Sequence, residues 1–590
     1  MVLVLLESTG YSDKEGRTFY ITNPETILQC YKLSEVGPLL DQVENAVAKG
    51  FFAAGFLSYE AGFALLPQMP SHSENDFPLA WFALTKAPQH GLSIDNIPEF
   101  NISTEVAIRD LTLSMSPEEY TAHIRSIKRE IEDGYTYQVN FTMRYRGRLL
   151  GSPRTLYRRL RQMQSVSYAA FIETDDWAVL SLSPELFFHK SDRDIWMRPM
   201  KGTAARGRTL DEDVIQANQL RESEKERSEN LMIVDMLRSD LGKICETGTV
   251  AVTDPLRVER YETLLQMTSE IHGRLRKEIG LADIMRAAFP SGSVTGAPKV
   301  RTMQIIRDHE TAPRKIYTGS IGFLFGSEAV FNVAIRTALC DLKTDALEMG
   351  VGSGILYEAD AEKEYQECEL KARFLKEQPL EFQLVETILW DHAGGYQLLD
   401  FHLDRLMQSA EYFLFSVSRE AVQNFLSSEE RKLREQPSKQ RVRLVVDAKG
   451  TPHMESSVLE ALRGTQRIRF ADTRTDSSDV FLFHKTTRRP VYSRAFELAR
   501  EQGYFDVLFC SERDEVTEGA ISNVFSVKNG MYFTPPVSCG LLAGTFRRHL
   551  LETKPFPIEE RILHKTDIEQ AEAIYLTNAV RGLVRCFLER

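Results

Sequence analysis

Two lysines stand where an amine could be put to chemical use. Lys201 lies in Arg198-Pro199-Met200-Lys201-Gly202-Thr203, just after the strand-like run Asp194–Met197. Proline fixes φ and glycine frees it, so this spacing predicts a turn that holds one amine at a strand end. A lysine in a partly dry pocket loses basicity and can act as a nucleophile, although an arbitrary turn lysine is far more often simply solvated. Lys485 closes the apolar run Phe481-Leu482-Phe483-His484. Carboxylates come in two matched pairs. Glu226 and Glu229 fall in a helical pattern from Asp211 to Gly242, and Glu364 and Glu367 in another from about Asp360 to Leu375. A spacing of three puts each pair on one helix face. Such pairs are usually solvated. Four converging carboxylates would repel without a hard cation, and oxygen-only ligands suit Mg²⁺. Between the pairs, the small and turn residues from Pro290 to Lys299, including Thr295, let backbone N–H groups approach an anion. Gly350-Val351-Gly352-Ser353-Gly354 lacks dinucleotide-binding spacing.

The elements that must position these residues belong to a long chain. At 590 residues it exceeds one core, and about 150 residues per domain suggests two to four domains. A net charge of −12 and the absence of a Lys/Arg-rich run argue against a nucleic-acid partner. No stretch approaches the length of a membrane span, and the apolar start Met1–Leu6 reads as a first strand, without the basic flank of a signal peptide. Seven scattered cysteines suggest reduced thiols in a cytoplasm. A helix is predicted from Ser116, with proline at N1 and Glu119 at the capping-box position, to Gly134. Strands are predicted over Tyr137–Met143 and Trp177–Phe188. A short linker at 378–381 precedes a second unit over 382–590, with a hairpin from Phe382, a helix from His402 to Phe413 and a strand over Arg441–Asp447.

Residues 1–377 resemble the chorismate-utilising synthases, the large subunits of anthranilate and aminodeoxychorismate synthases. The resemblance rests on Ser183-Pro184-Glu185, Pro199-Met200-Lys201-Gly202-Thr203, the run Glu229–Leu241, Gly296-Ala297-Pro298-Lys299, Ala334-Ile335-Arg336-Thr337 and Gly352-Ser353-Gly354-Ile355, in family order. It implies an antiparallel β-sandwich with outer helices. It further implies that Tyr317, Arg336 and the backbone at Gly352 hold a chorismate carboxylate, with Thr295, Gln266 and Lys371 also at the substrate. Glu229 and Glu367, supported by Glu226 and Glu364, would hold Mg²⁺. Lys201 would add to the ring at C2 while Glu185 protonates the departing 4-hydroxyl, and ammonia would then enter at C4. Lysine at this position marks the aminodeoxychorismate subgroup, where anthranilate synthases typically carry alanine. Gln266 stands where many members have histidine. It can hydrogen-bond but does not titrate near neutral pH, which argues against a histidine-dependent acid step. Leu5-Leu6-Glu7-Ser8 resembles a tryptophan-binding strand of the anthranilate subgroup, but a plain first strand is the expectation.

Residues 382–590 resemble the fold-type IV pyridoxal-phosphate enzymes, an α+β fold read here as subdomains of about 382–480 and 481–590. The resemblance implies that Lys485 bonds to the cofactor, Glu518 pairs with its ring nitrogen, and Arg405, Thr545, Phe546, Thr577 and Asn578 bind its phosphate. Thr577-Asn578-Ala579-Val580-Arg581-Gly582 looks more like the lyase subgroup than the aminotransferases. The fusion itself implies a bifunctional enzyme: the first half makes 4-amino-4-deoxychorismate, and the second removes pyruvate to give 4-aminobenzoate. The alternative is a synthase fused to a D- or branched-chain amino acid aminotransferase. No Gly-x-Cys-x-Gly elbow is visible, so a separate glutamine amidotransferase partner, or use of free ammonia, is expected. A homodimer through the second unit is expected by analogy.

Overall fold

The computed structural model describes every residue except 9–16, 67–68, 70–75, 102–104, 165, 378–379 and 590, so part of the expected linker lies outside the described residues. The chain forms two compact units, Met1–Ala205 with Ala217–Leu380, and Arg206–Gln216 with Glu381–Arg590.

The first unit is built on two ten-stranded sheets. Alternating apolar residues from both sheets, including Val4, Phe56, Trp81, Ile172 and Phe323, meet in one buried layer. Helices cover the outer faces. Leu33–Ala48, Glu224–Gly242 and Leu281–Ala288 pack on one sheet through Val36, Ile233 and Ile284. Pro117–Glu132, Pro153–Met163 and Ala361–Lys371 pack on the other through Tyr120, Leu156 and Cys368. This is the expected sandwich with outer helices.

Local chemistry sets the helix limits. Ser116 Oγ accepts from Glu119 N at 3.3 Å, and Glu119 accepts from Ser116 N at 2.8 Å. This capping box starts Pro117–Glu132, which buries Tyr120, Ile124 and Ile127 along one stripe. The pattern from Asp211 to Gly242 is two helices rather than one, Leu210–Glu222 and Glu224–Gly242. Ser223 leaves helical geometry between them, and its hydroxyl accepts from Glu226 N at 3.4 Å. Apolar periodicity continues through such a break, whereas a serine favours the N-cap. The 360–375 pattern likewise splits at Ala372 into Ala361–Lys371 and Arg373–Lys376.

In the second unit, a four-stranded antiparallel sheet includes Leu384–Asp391, Gln440–Val446 and Pro452–Val458. Helices Leu399–Tyr412 and Arg419–Arg434 share its core. An eight-stranded sheet follows. Its strand Gln466–Phe470, which the sequence reading put in the preceding subdomain, runs parallel between Asp506–Cys510 and Gly582–Leu588. Residues 206–216, counted with the first domain on sequence, group with this unit. Tyr412 Oη donates to Gly207 O at 2.7 Å, and Arg208 Nη1 donates to Ser477 O at 3.0 Å. All seven cysteines are buried and unpaired in disulfides. Among the described residues, no helix is long and apolar enough to cross a membrane.

Candidate active sites

Lys201 sits within a strand, Met200–Ala205, and not in a turn. The strand pairs with Leu264–Arg274, and the register slips between Met200 and Thr203. Gly202 takes φ +93° there, so the Pro/Gly signal marks a bulge that re-aims the lysine. Three side-chain bonds fix it. Asn230 Nδ2 donates to Lys201 O at 3.2 Å, Gln266 Nε2 donates to Gly202 O at 2.9 Å, and Thr203 Oγ1 donates to Gln266 Oε1 at 3.2 Å. Both polar ends of Gln266 are therefore engaged on the bulge. A Cβ on Gly202 would come within 3.3 Å of Glu226 Oε2, so the helix carrying the acidic pair lies against the bulge. Burial lowers the Lys201 pKa against the pull of Glu229, and the charge of Lys371 adds to the lowering.

Glu185 follows Pro184 at the break between Trp177–Ser183 and Leu186–Ser191. It is buried, and Ser293 Oγ donates to its Oε1 at 2.6 Å. Burial raises its carboxyl to about 7, against the Ser293 bond and the charge of Lys201. A buried acid near neutral, within electrostatic reach of a buried amine, is a general-acid arrangement.

Glu229, Glu367 and Lys371 lie within electrostatic reach of Lys201. The Tyr317 ring covers Gly350 so closely that a Cβ there would fall 2.1 Å from it. Gly352 O accepts from Lys371 Nζ at 2.8 Å, and the same amine pairs with Glu367 at 2.7 Å. Lys371 thus ties strand Ala346–Ile355 to the helix bearing Glu364 and Glu367. Arg336 adopts φ +50° and donates from Nη1 to Gln164 Oε1 at 2.5 Å. The hydroxyl of Thr295 closes its own loop, donating to Ser291 O at 3.0 Å. Burial raises Glu229, with the charges of Glu226 and Glu364 adding to it, and burial and then Glu367 raise Glu364. The two helices therefore present mutually repelling carboxylates to each other, a donor chemistry that fits a hard cation. In this geometry Glu229 leans on Lys225 at 3.8 Å and Glu367 on Lys371. No three His, Cys, Asp or Glu side chains among the described residues are gathered as a ready metal cluster.

Sequence reasoning gave no role to Asn230, Ser293 or Arg314. Arg314, almost wholly buried, donates to Asn140 O at 2.7 Å, Val294 O at 2.9 Å and Glu310 Oε1 at 2.7 Å. It thereby locks the loop that carries Ser293 and Thr295. Asn230 and Ser293 lay inside the motifs, but nothing in residue type separates them from packing polar groups.

The second unit holds a cavity of about 530 Å³, within the size range of small-molecule sites, lined by Arg405, Lys485, Glu518, Thr545, Thr577 and Asn578. Lys485 follows the short 3₁₀ turn Val480–Leu482, which carries most of the apolar run before it. Its carbonyl accepts from Val385 N at 2.9 Å. Burial, then the charges of Arg405 and Arg489, bring its amine down to about 8. Glu518 is buried, and Arg489 Nη2 donates to its Oε1 at 2.9 Å. Arg405 donates through Nε and Nη2 to Glu386 at 2.9 and 2.6 Å and through Nη1 to Ala543 O at 3.2 Å. Against burial, Arg405 and His402 hold the Glu386 carboxyl down at about 2.

Thr577 Oγ1 is buried without a partner. The first-turn N–H groups of helix Thr545–Thr553, Phe546 among them, precede its first intrahelical bond, from Arg548 N to Gly544 O. The Phe546 ring itself packs near His549, with centroids 5.9 Å apart, and does not line the cavity. A Cβ on Gly544 would stand 1.9 Å from Asn523 Oδ1, so only glycine allows this approach. Asn578 Nδ2 donates to Ile521 O at 3.3 Å. A low-pKa amine, a buried carboxylate, an orphaned hydroxyl and a helix N-terminus in one cavity fit pyridoxal phosphate.

A family of chorismate binding enzymes matches residues 8–377. The amino-transferase class IV family matches residues 383–586. Aminodeoxychorismate synthase component 1 of Bacillus subtilis is 37% identical over 269 residues, 45% of this chain and 57% of that protein. An anthranilate synthase component 1 of Haloarcula marismortui is 39% identical over 259 residues, 44% of this chain and 53% of that one. The chain thus spans about half the length of these curated relatives. The crystal structure of anthranilate synthase component I from Streptococcus pneumoniae matches with a TM-score of 0.51 at 24% identity, over 64% of this chain and 92% of that one. That likeness concerns the fold.

Proposed function

The chain belongs to the family of chorismate binding enzymes, and from that premise we propose that it is a bifunctional 4-aminobenzoate-forming enzyme of folate synthesis. Its first unit aminates chorismate at C4, and its second eliminates pyruvate from the resulting 4-amino-4-deoxychorismate. The observation that carries the reading is Lys201 on its bulge beside the buried acid Glu185, since anthranilate chemistry has no use for a nucleophile there.

In the first unit, Lys201 Nζ adds at C2 as the 4-hydroxyl departs with the proton of Glu185. Ammonia then bonds at C4 and the lysine amine leaves from C2. Two allylic displacements replace one poor one. Tyr317, Arg336 and the backbone at Gly352 hold one carboxylate, with Arg336 suited to bidentate contact. Glu229 and Glu367, with Glu226 and Glu364, would hold Mg²⁺ near the other carboxylate.

In the second unit, bound pyridoxal phosphate supplies an electron sink for the bond broken at C4 of the intermediate. Glu518, steadied by Arg489, would pair with the ring nitrogen. Arg405, Thr577 and the N–H groups at Thr545 and Phe546 would hold the phosphate, with Asn578 beside them. Lys485 would take the C4 proton and return it to the departing enolpyruvyl group, which leaves as pyruvate, and aromatisation drives the step. The reading includes a separate glutamine amidotransferase as ammonia source, a homodimer through the second unit and a cytoplasmic location.

The test is purified full-length protein with chorismate, ammonium, Mg²⁺ and pyridoxal phosphate. Formation of 4-aminobenzoate and pyruvate in equal amounts is expected. Anthranilate as product, or 4-amino-4-deoxychorismate that persists while a D- or branched-chain amino acid is transaminated, would overturn one half or the other.

A further inference from the structure

The outer part of the second unit's cavity carries charge that the reading above leaves unused. Its wall includes Arg441, Arg443, Arg500 and Arg581 with the apolar side chains of Leu462 and Phe496. Arg441 and Arg443 share one face of strand Gln440–Val446, while Val442 and Leu444 are buried on the other. Phe496 and Arg500, four apart on helix Pro490–Glu501, form a second face. Arg581 is fixed by its backbone N–H, which donates to Asn578 Oδ1 at 2.9 Å, and by its guanidinium, which donates to Glu460 O.

The inner and outer guanidiniums differ in their partners. Arg405 is neutralised by Glu386 at 2.6 Å and Arg489 by Glu518 at 2.9 Å. Arg443 has only a loose, exposed pair with Glu455 at 3.8 Å. Arg441 and Arg500 make no ion pair or hydrogen bond among the described residues. The outer charges feel one another: burial, then the charges of Arg441 and Arg500, lower the Arg581 pKa against the pull of Glu460. Among the described residues, the one carboxylate on the cavity wall is Glu518, already paired. Uncompensated like charges around one opening repel, and a bound polyanion relieves that repulsion.

We infer that Arg441, Arg500 and Arg581 form a carboxylate-reading rim that selects ring substrates bearing two carboxylates over those bearing one. Each guanidinium offers parallel N–H donors that match a carboxylate, and Phe496 and Leu462 offer an apolar wall for the ring. The inference rests on the function proposed above and sharpens it. 4-Amino-4-deoxychorismate carries a ring carboxylate and an enolpyruvyl carboxylate, whereas 4-aminobenzoate keeps one. The rim therefore holds substrate more tightly than product and favours product release.

The experiment uses the full-length holoprotein, titrated with isophthalate or benzoate while the cofactor absorbance is followed. Isophthalate should bind at least ~10-fold more tightly than benzoate, by a margin that shrinks with added salt. The combined Arg441→Gln, Arg500→Gln, Arg581→Gln variant should lose that margin, and the corresponding lysine variants should restore part of it. With 4-amino-4-deoxychorismate as substrate, the glutamine variant should raise KM ~10-fold or more while kcat changes little. An isophthalate preference absent from the natural protein, or unchanged in the variant, overturns the rim. If the combined variant does not retain cofactor, Arg441→Gln and Arg500→Gln singly decide by the same measurements. A rim-dependent preference in a protein that makes no 4-aminobenzoate would sink the lyase reading and leave the rim standing. 4-Aminobenzoate formed at unchanged KM by the combined variant would do the reverse.

Discussion

Lys201 and Lys485 are both partly buried amines, and the charges that weigh most on them differ. Lys201 stands among Glu229, Glu185 and Glu367, which favour its ammonium form against burial and Lys371. Lys485 feels Arg405 and Arg489, which add to burial and, against Glu386 and Glu518, bring it to about 8. The same residue type is thus set for two tasks. Around Lys201, Glu229, Glu185 and Glu367 work against the lowering that burial imposes. Lys485, brought down from the ordinary lysine range to about 8, has a far larger free-base fraction at neutral pH than an exposed lysine, which suits an amine that must react with a carbonyl and carry a proton.

The largest effects should come from removing either amine. Lys485→Ala should cut 4-aminobenzoate formation by ~10³-fold or more while 4-amino-4-deoxychorismate accumulates, and Lys201→Ala should stop chorismate consumption to a similar extent, both read by chromatography. If Lys201→Ala still aminates at C4 at a useful rate, the lysine supplies charge only, and the contrast between the two sites loses its chemical half. Next, Glu185→Gln should lower amination by about 10²–10³-fold. Because the acid must be protonated to act, the natural rate should fall as pH rises through about 7, and this limb should vanish in the variant. A pH–rate profile of the first unit checks both points.

The amine of Lys485 must be unprotonated to capture an aldehyde. Pyridoxal phosphate uptake by cofactor-free protein should therefore speed up as pH approaches about 8 from below and level off above it. An uptake rate still climbing steeply beyond pH 9 would mean that the two arginines do not lower the amine. Gln266→Ala should cost roughly 10-fold in amination by loosening the bulge, with little change in chorismate KM. A KM effect alone would return Gln266 to the role of a direct substrate contact. The smallest effect is expected from Ser293→Ala. Loss of its bond to Glu185 raises the carboxyl further, so the falling limb of the profile should move to higher pH with only a few-fold change in maximal rate.

Much of this was legible in the chain. The capping box at Ser116, the strand around Asn140 and the lysine-bearing motif are local signals, carried by neighbouring residue types. The errors arose where a local signal has two structural outcomes. Proline and glycine around Lys201 read equally as a turn or a bulge, and only pairing with Leu264–Arg274 chose the bulge. Apolar periodicity ran through Ser223 because a cap does not interrupt it.

The sequence by itself determined which groups are present: two lysines, their acids, the glycines that let Tyr317 and Asn523 come close, and the two families to which the halves are similar. Their ionisation and their partners were decided only in the tertiary structure. Whether Glu185 sits near 7, whether Gln266 braces the bulge at Lys201, and whether residues 206–216 pack with the second unit depend on burial and on partners remote along the chain. Desolvation and Coulomb interaction act through space, and no spacing along the chain encodes them.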